Sequence, residues 1–315
     1  MDNPLLKNSL SDKLLMIRPI QFGLNDETIS SNSFQQQLPQ LTNWQVNELA
    51  QLEFDNFVAL LRANNIDVLV YNDTEEHYTP DSIFPNNWLM TTNQGELLTF
   101  PMAAPNRRLE RRADIITDLE QEHTYKLDQS LIKFEDEGKY LEGTGSLVLD
   151  RVNKIAYAAL SPRTNLDVLE LWADKLGYKL VVFRAYGPKG EEIYHTNVMM
   201  CVGTNFAIIG SNTIAEEDRE RVLNSLEKTN HTIVELSNEQ VYEHFTGNAL
   251  QVHNKKGQSY VVLSSRAYRS LTSIQKEILT TELGHQFIAP SLNVIETIGG
   301  GSARCMLTEI RMPTT

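Results

Sequence analysis

Cysteine is nearly absent from this chain: 315 residues hold two, Cys201 and Cys305. Two are too few for a disulfide framework and too few for a cysteine zinc site. Long apolar runs are missing as well. No stretch of about 18 apolar residues occurs, and the start from Met1 to Ser11 has neither the basic opening nor the apolar stretch of a secretory signal. These absences lead us to expect a soluble cytoplasmic chain with no membrane partner. Basic clusters are equally scarce, since 28 Lys and Arg face 41 Asp and Glu and leave a net charge of −13. Such a chain repels phosphate backbones and anionic lipid, which argues against a nucleic-acid partner. What is present, 41% hydrophobic and 22% charged residues, suffices to bury a sizeable core in one large domain or two ordinary ones.

The two cysteines sit in different company. Cys201 lies in the apolar run Asn197-Val-Met-Met-Cys-Val-Gly203, where a buried and inert thiol is expected. Cys305 follows Gly299-Gly-Gly-Ser-Ala-Arg304, a flexible stretch ending in a cation, a setting that would expose the sulfur and ease its ionisation.

The chain repeats itself. Five times an apolar strand, a polar turn and a second apolar strand follow one another, mostly with a helical pattern and a further strand behind them. The hairpins begin near Asn87, Gly145, Asn197 and Asn248, and a fifth joins Cys305 to Glu309 with the N-terminal Leu14 to Arg18. Starts roughly 50 to 60 residues apart suit one strand, strand, helix, strand unit per repeat. Thr42-Asn-Trp-Gln45 reads as a capping box before Val46, Leu49, Phe57, Leu60 and Leu61 at helical spacing, with a strand from Ile66 to Tyr71 behind. Thr213-Ile-Ala-Glu216 has the same signature ahead of Val222 and Leu226 and a strand from Thr232 to Leu236, Asn165 to Leu176 gives a helix stopped at Gly177, and Ser270 to Leu283 gives another. Units that cannot bury their own sheet faces must stack or close, and pairing the last strand with the first closes a ring. One domain over residues 1–315 is therefore expected. The polar stretch 21–40 is too long for a plain connection and is read either as an active-site lid or as a mobile surface loop.

Three polar residues recur at the hairpin starts, where ring symmetry would gather them. Glu142 stands in Leu141-Glu-Gly-Thr-Gly145, His195 in Tyr194-His-Thr-Asn197, and Cys305 opens the last strand. Thiol, imidazole and carboxylate are the parts of an activated nucleophile with an oriented acid/base, although a lone His195 would read as a hydrogen-bonded core residue. Arg107, Arg108, Arg111 and Arg112 crowd the start of an expected helix, where cations are unfavourable. Either Glu110 compensates them or they receive a substrate carboxylate; Arg163 at the corresponding place in the next repeat supports the second account.

Pro80-Asp-Ser-Ile-Phe-Pro-Asn-Asn-Trp88, Ala104-Pro-Asn-Arg-Arg108, Leu141-Glu-Gly-Thr-Gly145, Ser161-Pro-Arg-Thr-Asn165, Tyr194-His-Thr-Asn197 and Ala303-Arg-Cys305 stand in the order and spacing of dimethylarginine dimethylaminohydrolases. From about Arg18 to Glu309 the chain resembles that family, within the amidinotransferase and arginine deiminase superfamily, and it is also similar to bacterial citrulline-utilization hydrolases. The resemblance implies an α/β fold, the five-bladed α/β propeller called pentein, with its site on the pseudo-fivefold axis and no cofactor or metal. It implies Cys305 as nucleophile, His195 as general acid/base and Glu142 as the acidic partner. Arg107 and Arg163 would hold the amino-acid end of a small-molecule substrate and Asp81 would lie near its α-amino group, with a homodimer allowed for.

The departures bear on substrate. Asn86 and Asn87 stand where relatives carry glutamate and aspartate, and Asn197 stands where deiminases carry aspartate. The carboxylates that would grip a cationic guanidinium are replaced by amides. Citrulline or another ureido compound is therefore the expected substrate. Loss of the side-chain amine would give ornithine and a carbamoyl thioester; loss of ammonia would leave the thioester carbon on the ornithine nitrogen. An amidinotransferase passing the group to an acceptor amine, and a non-catalytic arginine-analogue binding protein, are the alternatives.

Overall fold

A computed structural model describes residues 10–313, so most of the Met1 to Ser11 start lies outside the described residues. Five three-stranded sheets make up the framework, each with one central strand that is antiparallel to the strand before it and parallel to the strand after it. In chain order β1 is Lys13–Arg18, β2 Asp67–Asn72, β3 Leu89–Thr91, β4 Glu96–Thr99, β5 Lys126–Asp128, β6 Val148–Asp150, β7 Ile155–Ala159 and β8 Lys179–Phe183. Then come β9 Met200–Val202, β10 Phe206–Ile209, β11 Thr232–Glu235, β12 Leu250–His253, β13 Ser259–Val262, β14 Gln286–Ile288 and β15 Thr308–Glu309. The blades are β3-β4-β5, β6-β7-β8, β9-β10-β11, β12-β13-β14 and β15-β1-β2. Parallel neighbours need a crossover, and a helix supplies it in each blade.

The last blade joins the two ends of the chain. β15 pairs antiparallel with β1 through Leu14 with Glu309 and Leu15 with Thr308, while β1 runs parallel to β2. First strands of adjoining blades lie side by side, β15 with β3, β6 with β9 and β9 with β12, so they line the axis while the helices stay outside. This is the pentein architecture of five α/β blades. Four apolar clusters, seated between blades and between sheets and helices, form the core.

Local chemistry explains where helices begin. For α1, Asn43–Ala63, Thr42 Oγ1 accepts from Gln45 N at 3.3 Å and Gln45 Oε1 accepts from Thr42 N at 2.9 Å, the reciprocal capping box. Between β7 and β8, the helix Leu166–Leu176 is capped by Asn165 and stopped by Gly177 at φ 70. Two expectations need correction. Thr213 does not cap the helix Glu216–Lys228: Thr213 Oγ1 donates to Gly210 O, inside a preceding turn, and three acidic residues in the first turn face the helix dipole instead. The stretch Ser270 to Leu283 is not one helix, because Ser270 ends Ser265–Ser270 and Thr272 caps a fresh start at Ser273–Glu277 that widens into a π-turn over Ile278–Glu282. Among the described residues no helix is long and apolar enough to cross a membrane.

Residues 21–40 contain no helix or strand. They are pinned by Phe34, which packs its ring against Tyr194, Tyr242 and Phe245 with centroids 5.3 to 6.3 Å away.

Candidate active site

Every blade presents a tight one-turn segment just before its first strand: Pro85–Asn87, Gly143–Ser146, Thr196–Val198, a turn ending at Asn248, and Ala303–Met306. The strand expected to open at Cys305 therefore starts later, at Thr308, and the sulfur is aimed by a 3-10 turn rather than by the pleat of a strand. Glu142 and His195 likewise sit immediately before such turns. The turns approach so closely that side chains are barred at some positions. A Cβ on Gly143 would lie 2.3 Å from Asn86 O, and one on Gly145 would lie 2.5 Å from Asn87 Nδ2 and 2.7 Å from His195 Nδ1. Both glycines of Leu141-Glu-Gly-Thr-Gly145 are thus imposed by tertiary contact as well as by the φ of 45 at Gly143.

A narrow pocket is lined by Asp81, Asn87, Arg107, Arg163, His195 and Cys305 together with Asn32 and Tyr194. Of the expected site residues, Glu142, Asn86 and Asn197 stand directly behind this lining. Glu142 Oε2 lies 2.8 Å from His195 Nε2, 3.5 Å from Arg163 Nη1 and 3.7 Å from Arg107 Nη1. Burial alone would raise the Glu142 carboxyl, but Arg163, His195 and Arg107 outweigh it and hold the group far below the usual carboxylate range. An ionised carboxylate only accepts, so Nε2 carries the imidazole proton and Nδ1 keeps its lone pair. Burial, against the pull of Glu142, drives His195 down to about 4, which makes the imidazole neutral near pH 7.

The sulfur of Cys305 is buried, with 3% of the residue exposed. The expected flexible, exposing glycine stretch is corrected here. Gly299 ends the helix Asn293–Gly299, Gly299 and Gly301 press on Phe84, and Asn32 Nδ2 donates to the carbonyls of Gly299 and Gly300. Arg304 turns away from the pocket, donating to Leu307 O and approaching Glu309. Instead two amides meet the sulfur: Asn197, with Nδ2 at 3.5 Å and Oδ1 at 3.8 Å, and Asn248, with Nδ2 at 3.2 Å. Asn248 was not among the expected site residues. Its signal was its place in the repeat, since Asn87, Asn197 and Asn248 each stand in the turn just before a first strand.

The arginines divide. Arg111 and Arg112 lead into the longer helix Ala113–His123, whereas Arg107 lies in the one-turn helix Pro105–Arg108 before it. Its guanidinium forms a two-pronged bond to Glu110, at 2.8 and 2.9 Å, and donates to Asn87 Oδ1 at 2.9 Å and Phe84 O at 3.4 Å. Burial opposes its charge, yet Glu110, Asp81 and Glu142 more than restore it. Glu110 thus does compensate this cation through its two-pronged bond, while burial, against the pull of Arg107, raises its own carboxyl to about 8. Arg163 has looser company: Nη2 donates to Ser31 Oγ at 2.7 Å and Thr28 O at 3.3 Å, and its guanidinium lies 4.9 Å from the Tyr194 ring centroid. Asp81 Oδ2 accepts from Asn25 at 2.7 Å and Thr28 at 3.3 Å, whereas its buried Oδ1 has no hydrogen-bond partner among the described residues. Asn87 Nδ2 donates to Asn86 Oδ1 at 3.1 Å, and Asn86 Nδ2 donates to Thr144 Oγ1 at 3.2 Å. Cys201 is far from this chemistry in role: burial pushes its thiol up to about 12. No three His, Cys, Asp or Glu side chains among the described residues converge as metal ligands.

Comparison with known proteins agrees with this architecture. Residues 18–312 match the family of eukaryotic N,N dimethylarginine dimethylhydrolases. No curated protein matches the sequence. Among solved structures, the chain is similar to the N-terminal domain of ArgZ, described as an arginine dihydrolase from the ornithine-ammonia cycle in cyanobacteria, with 16% identity over 96% of this chain and 98% of that one and a TM-score of 0.73. It is similar to AgrE in complex with L-arginine, with 14% identity over 96% of this chain and 40% of AgrE and a TM-score of 0.73. A dimethylarginine dimethylaminohydrolase from Pseudomonas aeruginosa in complex with citrulline aligns with 15% identity over 96% and 100% of the two chains, at a TM-score of 0.64. At such identities the structural likeness speaks for the fold.

Proposed function

Because the chain belongs to the N,N dimethylarginine dimethylhydrolase family, whose members are hydrolases of linear C–N bonds in guanidino compounds, we propose that its own substrate is citrulline or a close ureido amino acid. One observation carries this reading: the side chains that meet the Cys305 sulfur are the neutral amides of Asn197 and Asn248, and the neighbouring Asn87 is neutral too. Of the carboxylates at the pocket, Glu142 shares its charge among His195, Arg163 and Arg107, and Asp81 is taken in this reading by the substrate's α-ammonium. A guanidinium shedding its water there would find little uncommitted anion, whereas a ureido group loses no ionic hydration.

In this reading Cys305 gives its proton to Nδ1 of His195, and the sulfur adds to the ureido carbon while the carbonyl π-electrons move to oxygen. The imidazolium is stabilised by Glu142. When the oxyanion collapses, the C–N bond to the side chain breaks and the departing amine takes the proton from His195, leaving ornithine and an S-carbamoyl cysteine. Water then attacks that carbon, His195 accepts its proton and returns it to the leaving sulfur, and carbamate is released. Asp81 Oδ1, buried without a partner, is suited to an α-ammonium. Arg163 is suited to the α-carboxylate. Residues 21–40 serve as a lid in this scheme, since Thr28 and Ser31 contact Arg163 while Asn25 and Thr28 contact Asp81. We read residues 1–315 as one catalytic domain.

ArgZ is described as acting on arginine, so the test must offer both. The purified chain is incubated with citrulline, arginine, methylarginines and agmatine, and products are identified by mass. Ornithine and carbamate from citrulline support the reading; turnover of arginine alone overturns it.

A further inference from the structure

Asn248 is buried completely, between the first strand of its blade and the turn that carries Cys305. Its amide is oriented from three sides: Nδ2 donates to the Cys305 sulfur at 3.2 Å and to Asn197 O at 3.0 Å, while Oδ1 accepts from the backbone N of Arg304 at 3.0 Å. A flipped amide would set its oxygen against the Asn197 carbonyl and its N–H groups against an N–H donor, so the donor end is held toward the sulfur. Asn197 turns the edge of its amide to the same sulfur, with Nδ2 at 3.5 Å and Oδ1 at 3.8 Å. Asn248 is the fixed donor and Nδ2 is the nearer atom of Asn197, so N–H donation to the buried sulfur dominates and suits an anionic acceptor, because a thiolate accepts such bonds far better than a thiol does.

A guanidinium substrate would bring its own positive charge next to the nucleophile. A neutral ureido substrate brings none, and Arg304, the cation next in sequence, is turned to Leu307 and Glu309. We propose that Asn248 is a catalytic residue, which with Asn197 holds the Cys305 sulfur by N–H donation and keeps it reactive without a cationic substrate. This deepens the ureido reading and rests on it. Asn248 does so from the backbone outward, since the Arg304 N–H that fixes its oxygen belongs to the same turn that aims Cys305.

The test needs no substrate. Iodoacetamide alkylation of Cys305 is followed by peptide mass at neutral pH in wild type, Asn248→Leu and Asn248→Ser, with Cys201 as the internal reference and circular dichroism as the check of folding. Removing one hydrogen bond to a charged group corresponds to about tenfold or more in thiolate population, partly offset by the greater nucleophilicity of a less stabilised sulfur. A net fall of roughly three- to tenfold in alkylation rate is expected. On citrulline, kcat should fall about tenfold or more with KM within about twofold, the pattern of an interaction with the reacting atom. A merely structural asparagine predicts the opposite sign, because loosening the turn would expose the buried sulfur and speed alkylation. An unchanged or faster rate in either variant overturns the proposal. Loss of the ureido reading would show separately, as no turnover of citrulline by wild type.

Discussion

Replacing Asn87 by aspartate should turn the pocket toward arginine. Asn87 Oδ1 accepts from Arg107 Nη1 at 2.9 Å and Nδ2 donates to Asn86 Oδ1 at 3.1 Å. In Asn87→Asp the first bond, already charge-assisted by the guanidinium, becomes an ion pair, and the second is lost, which costs about 1 kcal/mol of stability as a neutral hydrogen bond. The new carboxylate stands next to a guanidinium that Glu110 already neutralises, so much of its charge stays available. Against an incoming guanidinium about 4 Å away it would contribute about 4 kcal/mol at an effective dielectric of 20, and Arg107 screens part of that. The remainder matches one charge-assisted hydrogen bond, about 1.5 to 3 kcal/mol, or roughly 10- to 150-fold in the ratio of kcat/KM for arginine over citrulline. Asn197→Asp is a poorer test, since its amide faces the sulfur at 3.5 Å and a carboxylate there would repel a thiolate whichever substrate is bound. The assay is a direct competition of labelled arginine and citrulline for wild type and Asn87→Asp. Arginine preferred by wild type, or a ratio unmoved by the substitution, refutes the reasoning.

Cys305→Ser should abolish turnover with the fold intact, while Cys201→Ser retains it, because burial pushes the Cys201 thiol up to about 12; more than a few per cent of wild-type rate in Cys305→Ser would end the covalent mechanism. Arg163→Ala should weaken substrates bearing an α-carboxylate by about 1.5 to 3 kcal/mol and spare decarboxylated analogues, and equal losses for both would assign it another task. Arg107→Ala strands the buried Glu110 carboxylate and should lower the unfolding free energy by about 3 to 5 kcal/mol in urea titrations, whereas a stability near wild type would show that Glu110 is not ionised. Burial drives His285 down to about 4, below the ordinary 6.5, so the unfolded chain binds a proton that the folded chain refuses and this group's share of stability, full above pH 6.5, is lost toward pH 4. Glu53 and Glu110, raised by burial to about 6 and about 8, work the other way over the same range, so the test is a difference: the urea midpoint of wild type should fall relative to that of His285→Asn between about pH 7.5 and pH 5, and parallel curves would contradict this sign.

Period and capping chemistry are local, and the sequence by itself determined what they control. The hairpin starts at Asn87, Gly145, Asn197 and Asn248, the capping box at Thr42, the stop at Gly177 and the pairing of the last strand with Leu14 to Arg18 follow from hydrophobic patterning and nearby backbone partners. Ring symmetry then brought Glu142, His195 and Cys305 together, because equivalent positions in equivalent blades must meet at the axis. Thr213 shows the limit: its motif matches a cap, but the turn from Gly210 claims its hydroxyl first. Long-range contacts decided the rest. The triple glycine before Cys305 reads as flexible until Phe84 and Asn32 clamp it. Arg107 reads as one of four crowded cations until Glu110, Asn87 and Phe84 share its guanidinium at the pocket wall. Asn248 reads as an ordinary hairpin residue until the last blade lays the Cys305 turn against it, 57 residues later in the chain. A hydrogen bond between distant segments leaves no period in a sequence, so only the closed ring could assign those partners.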